Sequence, residues 1–73
     1  MKNLLYGLKL KDKKMYVEDI EIYNEKQEVE IAYQFERDFA KSYEYETNAN
    51  RIRRLAKDYS NIDLEVIVLR ERV

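Results

Sequence analysis

The sequence predicts a small α+β protein, with one helix packed on one face of a mostly antiparallel sheet in the order β-β-β-β-α-β. Three observations lead to this prediction. Short runs of apolar and polar residues alternate with the period of a half-buried strand. One later stretch repeats its apolar residues at helical spacing, and the run after it is apolar on both faces. At 73 residues the chain is long enough for a single α+β domain, spanning residues 1–73.

The first strand is predicted from Leu4 to Leu10. Lys9 lies on its polar face, and the opposite face carries an apolar row that would point into a core. The polar residues 12–14 are few enough for a hairpin turn. The apolar row consists of Tyr6, Leu8 and Leu10.

The second strand, from Met15 to Tyr23, has an irregular pattern. Val17 shares the parity of the start of the run, whereas Ile20 and Ile22 have the other parity. A β-bulge adds one residue to a strand, so a bulge near Glu18-Asp19 would return these side chains to one face. We therefore predict a bulge there.

Residues 27–45 allow two interpretations. In the first, a strand follows a turn at residues 24–28, and a further strand runs from Phe39 to Tyr45 after a break at residues 36–38. In the second, apolar residues spaced four apart form one long helix. We prefer strands, because β-branched and aromatic residues dominate the stretch. The alternating row is Val29, Ile31, Tyr33 and Phe35; the helical row is Ile31, Phe35, Phe39 and Tyr43.

The most regular helical pattern covers residues 47–59. Thr47 or Asn48 is suited to cap its start, and Asn61 can adopt the left-handed conformation that ends a helix. A strand from Ile62 to Leu69 follows, and its two-sided apolar centre predicts a position inside the sheet. We expect the helix and this strand to bury four side chains together, those of Ile52, Leu55, Val66 and Val68.

Composition excludes several kinds of catalytic and metal site. The chain has no cysteine and no histidine, so disulfides, structural zinc sites and a Ser-His-Asp triad are impossible. The single glycine, Gly7, rules out the glycine-rich loops that bind nucleotide phosphates. Two carboxylate clusters could support acid–base chemistry or bind Mg²⁺, but a solvated surface is the simpler interpretation. We therefore expect no enzyme activity, no cofactor, no metal and no small-molecule substrate. The carboxylate clusters are Glu18, Asp19 and Glu21, and Glu36 and Asp38.

Seven tyrosines suggest how the protein binds a partner. Tyrosine combines a large apolar ring with a polar tip and therefore suits protein interfaces. One helix covers only one face of the sheet, so the other face must be polar or must bind something. We expect some of Tyr33, Tyr43, Tyr45 and their neighbours to be exposed there, as a surface for an unidentified protein or for a second copy in a homodimer. Packing between neighbouring strands is the alternative use of these rings.

A basic helix face supports an alternative function. Arg51, Arg53, Arg54 and Lys57 could neutralise the phosphates of a nucleic acid. Against this interpretation, Asp58 can pair with Arg54 along the helix, and the sequence pI is about 5.5. We therefore expect a protein-interaction module, with nucleic-acid binding as the alternative.

Charge is distributed unevenly along the chain. Residues 1–17 carry a net charge of +4, residues 18–46 of −7 and residues 47–73 of +2. Segregated charge of this kind indicates oppositely charged elements that pack side by side, or a polar face that meets a partner.

The sequence shows neither a membrane segment nor a secretion signal. No apolar run approaches the roughly 20 residues that cross a bilayer. The lysine-rich start lacks the apolar segment and cleavage site of a signal peptide. We therefore expect a cytoplasmic protein that does not bind membranes.

Three segments resemble those of one group of proteins. They are an opening hairpin, Tyr6-Gly7-Leu8-Lys9-Leu10 and Tyr16-Val17-Glu18-Asp19-Ile20; a segment Phe39-Ala40-Lys41-Ser42-Tyr43-Glu44-Tyr45-Glu46-Thr47-Asn48-Ala49 that runs into Ile52 and Leu55-Ala56-Lys57; and a closing strand, Leu64-Glu65-Val66-Ile67. The pattern covers most of the chain and resembles small phage and prophage proteins of low-GC Gram-positive bacteria. Such proteins are mostly uncharacterised, so the resemblance implies a phage context and assigns no catalytic residue.

Overall fold

The computed structural model describes residues 3–72 and confirms the α+β fold class. Four strands form one antiparallel sheet in the order β3-β2-β1-β4, and the helix α1 packs on one face of it. No helix within residues 3–72 is long and apolar enough to span a membrane. The strands are β1 (Leu4–Leu10), β2 (Tyr16–Tyr23), β3 (Glu28–Gln34) and β4 (Leu64–Glu71), and the helix is α1 (Glu46–Ser60).

The predicted apolar rows of β1 and β2 face the helix. Leu8 and Val17 are fully buried, and Ile20 packs against the same core. The register of the β2–β3 pair shifts between Val17 and Asp19, which is the predicted bulge. The extra residue brings Ile20 back to the face of Val17, so an apparent break in the pattern is compatible with one continuous strand.

β3 settles the choice between strand and helix for the start of residues 27–45. The long helix is wrong, because residues 28–34 pair with β2 along their whole length. Val29, Ile31 and Tyr33 pack against the core as the alternation predicts. Phe35 does not continue this row, because the strand ends at Gln34.

The further strand predicted from Phe39 to Tyr45 is wrong. The chain forms a 3₁₀ turn over Arg37–Phe39 and then a single bridge between Tyr43 and Tyr6. The N–H of Lys41 donates to the carbonyl of Val17 at 2.8 Å, and Tyr43 exchanges two backbone hydrogen bonds with Tyr6 at 2.8 and 2.9 Å.

This segment lies where β1 and β2 separate. The two strands pair at Lys9 and Tyr16, close to their connecting turn. Beyond that point the carbonyl of Val17 in β2 and the backbone of Tyr6 in β1 both bond to residues 41–43 instead. The segment therefore satisfies backbone groups of both strands with only a few residues, which is why no full strand forms and the element order is β-β-β-α-β.

The helix begins and ends within one residue of its predicted bounds, but its start is not capped as predicted. Tyr45, rather than Thr47 or Asn48, occupies the N-cap position, and no side chain caps it. The Tyr45 carbonyl accepts the N–H groups of Asn48 and Ala49 at 3.1 and 3.3 Å. At the other end, Asn61 has the predicted left-handed conformation, with φ 53° and ψ 36°.

β4 is an edge strand, so its predicted interior position is wrong. Within residues 3–72 it pairs only with β1, whose other side is taken by β2 and residues 41–43. Its apolar residues nevertheless serve two faces: Leu64 is buried in the core beneath α1, whereas Leu69 contacts Gly7 on the opposite side of the sheet. A strand that is apolar on both faces can therefore lie at an edge, because its second apolar face contacts the neighbouring strand β1.

The predicted core group of Ile52, Leu55, Val66 and Val68 is only partly correct. Ile52 and Val66 pack against the buried core, and Leu55 is half-buried. Val68 is 43% exposed. The helix packs along β1, β3 and β4, but β4 extends to Glu71, and Val68 lies in its more exposed second half.

Candidate interaction surfaces

The three predicted tyrosines do not share an exposed face. Tyr33 lies opposite Val17 in the β2–β3 pair, and Tyr43 lies opposite Tyr6, so both follow their partners onto the helix side. Both are half-buried and pack against the core, and burial raises the pKa of each. Tyr45 alone is exposed, at 64%. Of the three tyrosines, Tyr45 is therefore the one that a partner protein could reach most readily.

The hydroxyl of Tyr43 belongs to the protein interior. It is buried and has no hydrogen-bond partner within residues 3–72. Burial is the main cause of its raised pKa, and the carboxylate of Asp19 adds to it. A hydroxyl that solvent does not reach is also closed to a partner protein, so we assign Tyr43 a packing role.

The open face of the sheet carries an acidic strip on β2 and β3, made of Asp19, Glu21, Glu28 and Glu30. These residues alternate with the inward-facing Ile20, Val29 and Ile31, and all four are exposed. None of them forms an ion pair within residues 3–72. Nor does this part of the chain contain a group of three or more side chains placed to hold a metal ion.

Two carboxylates of the acidic strip face each other across the strands. Glu21 is the direct register partner of Glu30, an arrangement that is unfavourable for like charges. The hydroxyl of Tyr23 donates to Glu21 at 2.5 Å and lies 3.4 Å from a carboxylate oxygen of Glu30. The hydrogen bond to Glu21, with the charge of both carboxylates, raises the pKa of Tyr23 to about 12. Within the described residues, the Tyr23 hydroxyl is therefore the only hydrogen-bond donor to the side chains of Glu21 and Glu30.

The half of the open face formed by β1 and β4, by contrast, carries no excess of negative charge. The ammonium group of Lys9 lies 2.8 Å from the carboxylate of Glu65, its register partner on β4. The unbalanced negative charge of the sheet is therefore confined to β2 and β3.

The predicted basic face of the helix divides into two parts. Arg51 and Arg54 are exposed, with no ion pair within residues 3–72. Arg53 instead donates to the side chain of Asn50 at 3.2 Å. Lys57 lies 2.9 Å from Asp63 and lowers the pKa of that carboxyl group.

Within residues 3–72 the exposed helix arginines pair neither along the helix nor with the acidic strip. The Arg54–Asp58 pair is not formed, since neither residue has an ion pair in the described part of the chain. The helix arginines also do not neutralise the acidic strip, because α1 and the strip lie on opposite faces of the sheet.

The largest exposed apolar side chains were not predicted as a site. Phe35 is 76% exposed and Phe39 is 60% exposed, on either side of the 3₁₀ turn. The turn is fixed by internal hydrogen bonds of 3.1 Å, by the buried Ala40 and by Arg37, whose guanidinium donates to the carbonyl of Val68. We call Phe35 and Phe39 the phenylalanine pair. The charged triplet at 36–38 was the available signal, because it ends the strand pattern directly after Phe35.

The fold defines a small α+β domain with one four-stranded antiparallel sheet and one helix. No protein-family model, curated protein or solved structure matches the chain. The acidic strip, the phenylalanine pair and the two exposed helix arginines are therefore the features from which a function can be inferred.

Proposed function

We propose that the protein is a non-enzymatic interaction module that binds another protein through the phenylalanine pair. The observation that carries this proposal is the exposure of Phe35 and Phe39, at 76% and 60%. Burial of a phenylalanine side chain stabilises by about 1.5–3 kcal/mol, so burying either ring in an apolar pocket of a partner would contribute favourably to binding. Aromatic side chains are enriched at the centres of protein interfaces for this reason.

The turn between the two rings supports binding at low entropic cost. The N–H of Phe39 donates to the Glu36 carbonyl and that of Ala40 to the Arg37 carbonyl, each at 3.1 Å. Arg37 ties the same turn to β4 through the carbonyl of Val68. A backbone that is already ordered loses little conformational freedom on binding, so more of the burial energy contributes to affinity.

The composition supports a role without catalysis. The chain contains no histidine and no cysteine, which removes the most frequent general base and the strongest nucleophile. One of the two serines, Ser60, uses its hydroxyl to accept the N–H of Val29. The resemblance to small phage proteins makes a host or phage protein the partner that we propose first.

The test compares two variants in capture from the native host. The protein with Phe35→Ser and Phe39→Ser should lose a partner that the parent retains, with an affinity at least about tenfold weaker, since 1.4 kcal/mol corresponds to one factor of ten. Tyr45→Ser is the matched control, because it removes another exposed aromatic ring at 64% exposure. Circular dichroism should show all three proteins folded. A double variant that binds the partner as tightly as the parent would contradict the proposal.

A second candidate function is binding of nucleic acid by α1. One observation favours it: Arg51 and Arg54 are exposed and have no ion pair in the described chain. Two arginines can neutralise only a few phosphates, and the acidic strip repels a polyanion that extends around the domain. We therefore rank this function second.

A further inference from the structure

We propose that the outer edge of β3 accepts an extended, basic segment of a partner protein as a fifth strand. β3 and β4 are the two edges of the sheet. Strand addition at such an edge supplies affinity through main-chain hydrogen bonds and selectivity through alternating side chains. This binding mode goes beyond the proposed function, because it uses a surface other than the phenylalanine pair.

Backbone hydrogen bonding shows which groups of β3 face outward. The N–H of Val29 donates to the hydroxyl of Ser60 at 3.1 Å, so residue 29 directs its polar groups away from β2. In an antiparallel pair, alternate residues face the partner strand and the opposite edge. Ile31 and Tyr33 therefore direct their N–H and carbonyl groups to the same outer edge as Val29. Neither has a hydrogen bond outside the sheet within residues 3–72.

The other edge of the sheet is less available. The carbonyl of Val68, in the middle of β4, accepts a hydrogen bond from the guanidinium of Arg37. The β1–β4 register also shifts between Leu5 and Tyr6, and such an irregularity twists an edge away from regular pairing. These are the devices that proteins use to block an edge. The β2–β3 register also shifts, opposite Ala32 and Tyr33, but the extra residue there, Glu18, belongs to β2, so β3 itself stays regular. The backbone groups of Ile31 and Tyr33 have no side-chain partner within residues 3–72.

The side chains beside the open edge determine which segment fits. On one face the new strand would lie beside Glu28 and Glu30 of the acidic strip, which have no cation within the described residues. A lysine or arginine opposite Glu30 would also relieve its repulsion with Glu21. On the other face the neighbours are the half-buried Ile31 and Tyr33, which favour apolar contacts. The matching segment alternates basic and apolar residues.

A second copy of this chain does not have that chemistry. Pairing of two β3 edges would bring a second Glu28 and a second Glu30 to a surface that already carries unpaired negative charge. Like charges placed opposite each other destabilise a strand pair. We therefore infer a foreign segment, and we expect the protein alone to scatter light as a monomer of 9.0 kDa.

The experiment titrates the full chain with a seven-residue peptide that alternates lysine and valine, the length of β3. The backbone amides of Ile31 and Tyr33 should show the largest chemical-shift changes. The same peptide with its backbone amides N-methylated keeps its charge but cannot donate, and it should bind at least about tenfold more weakly. A peptide with glutamate in place of lysine should not bind over the same range. The protein variant Glu28→Gln with Glu30→Gln should bind the lysine peptide several-fold more weakly.

Three results would overturn the proposal. The first is equal affinity for the N-methylated peptide, which would show binding by charge alone. The second is loss of peptide binding in the protein with Phe35→Ser and Phe39→Ser, which would move the site to the phenylalanine pair. The third is a dimer whose shifted amides lie on β3, which would make a second copy the occupant. If the protein with Phe35→Ser and Phe39→Ser still binds the peptide but no longer binds the native partner, the result would support two separate binding surfaces. These are the outer edge of β3 and the phenylalanine pair.

Discussion

The side chain of Leu69 lies directly over Gly7, across the β1–β4 pair. A β-carbon added at Gly7 would be 2.9 Å from three carbon atoms of Leu69, closer than such carbons approach in folded proteins. Gly7 has no positive φ angle, so the space rather than the backbone conformation requires glycine. The only glycine of the chain therefore stands where a strand residue must leave room for a neighbour.

This contact predicts strong coupling between the two positions. Gly7→Ala should destabilise the protein by about 1–3 kcal/mol, the range for overpacking. Leu69→Ala frees the space that the new methyl group needs, so the double variant should be more stable than the sum of the two changes predicts. Urea unfolding of the parent, both single variants and the double variant measures this coupling. Additive effects would mean that Leu69 moves aside without cost.

Truncation of two valines should change the free energy of unfolding by different amounts, because the two residues differ in burial. Val17 is fully buried, whereas Val68 is 43% exposed. Val17→Ala removes two buried methyl groups and should lower the free energy of unfolding by about 2 kcal/mol, with a further cost for the cavity. Val68→Ala is the matched control and should cost less than half as much. Equal shifts in the urea midpoint would place Val68 in the core after all.

The buried hydroxyl of Tyr43 predicts a stabilising substitution. It has no hydrogen-bond partner within residues 3–72, and an unsatisfied buried polar group costs about 1–3 kcal/mol. Tyr43→Phe removes the hydroxyl and keeps the ring, so we expect the free energy of unfolding to rise. Tyr45→Phe is the control, because the exposed Tyr45 should show no change. A loss of stability in Tyr43→Phe would reveal a partner for the hydroxyl, such as an ordered water molecule.

Alkaline pH should test the same burial independently. The folded protein raises the pKa of Tyr43 above the ordinary tyrosine value of about 10, mainly by burial and then by the charge of Asp19. The unfolded chain therefore releases this proton at lower pH than the folded chain, and stability falls as the pH rises above about 10. Tyr43→Phe should lose less stability than the parent over that range, as measured by urea unfolding at several pH values. Identical pH profiles of stability for the parent and Tyr43→Phe would show that folding does not raise the pKa of Tyr43.

Local patterns were sufficient to predict most elements of the fold. The alternation in β1, the phase change around Val17 and Ile20, and the helical spacing over 47–59 each depend on residues close in sequence. The bulge is the clearest case. Apolar residues alternate along β2 with one change of phase, and a single inserted residue accounts for that change.

The errors concern positions that distant residues determine. Tyr43 faces the core because Tyr6 lies opposite it, and β4 lies at an edge because residues 41–43 and β2 occupy the other side of β1. Neither pairing leaves a local signal. For the same reason, the exposed aromatic residues are not the ones that the sequence predicts. Phe35 has the parity of Tyr33, but the strand ends between them at Gln34, so the Phe35 ring is exposed rather than buried.

The two exposed helix arginines give the final prediction, which separates the two candidate functions. Arg51→Ala and Arg54→Ala should each change stability by less than about 1 kcal/mol, because exposed residues without an ion pair contribute little. If α1 has no nucleic-acid role, mixed-sequence DNA should bind no more tightly than about 10⁻⁴ M at physiological salt, the weak limit of non-specific binding. Fluorescence anisotropy with labelled DNA, measured at several salt concentrations, provides the test, and Lys57→Ala is a control because Lys57 is already paired with Asp63. Micromolar binding that weakens steeply with salt and is lost in the arginine variants, but not in Lys57→Ala, would make nucleic-acid binding the leading function and α1 its contact surface.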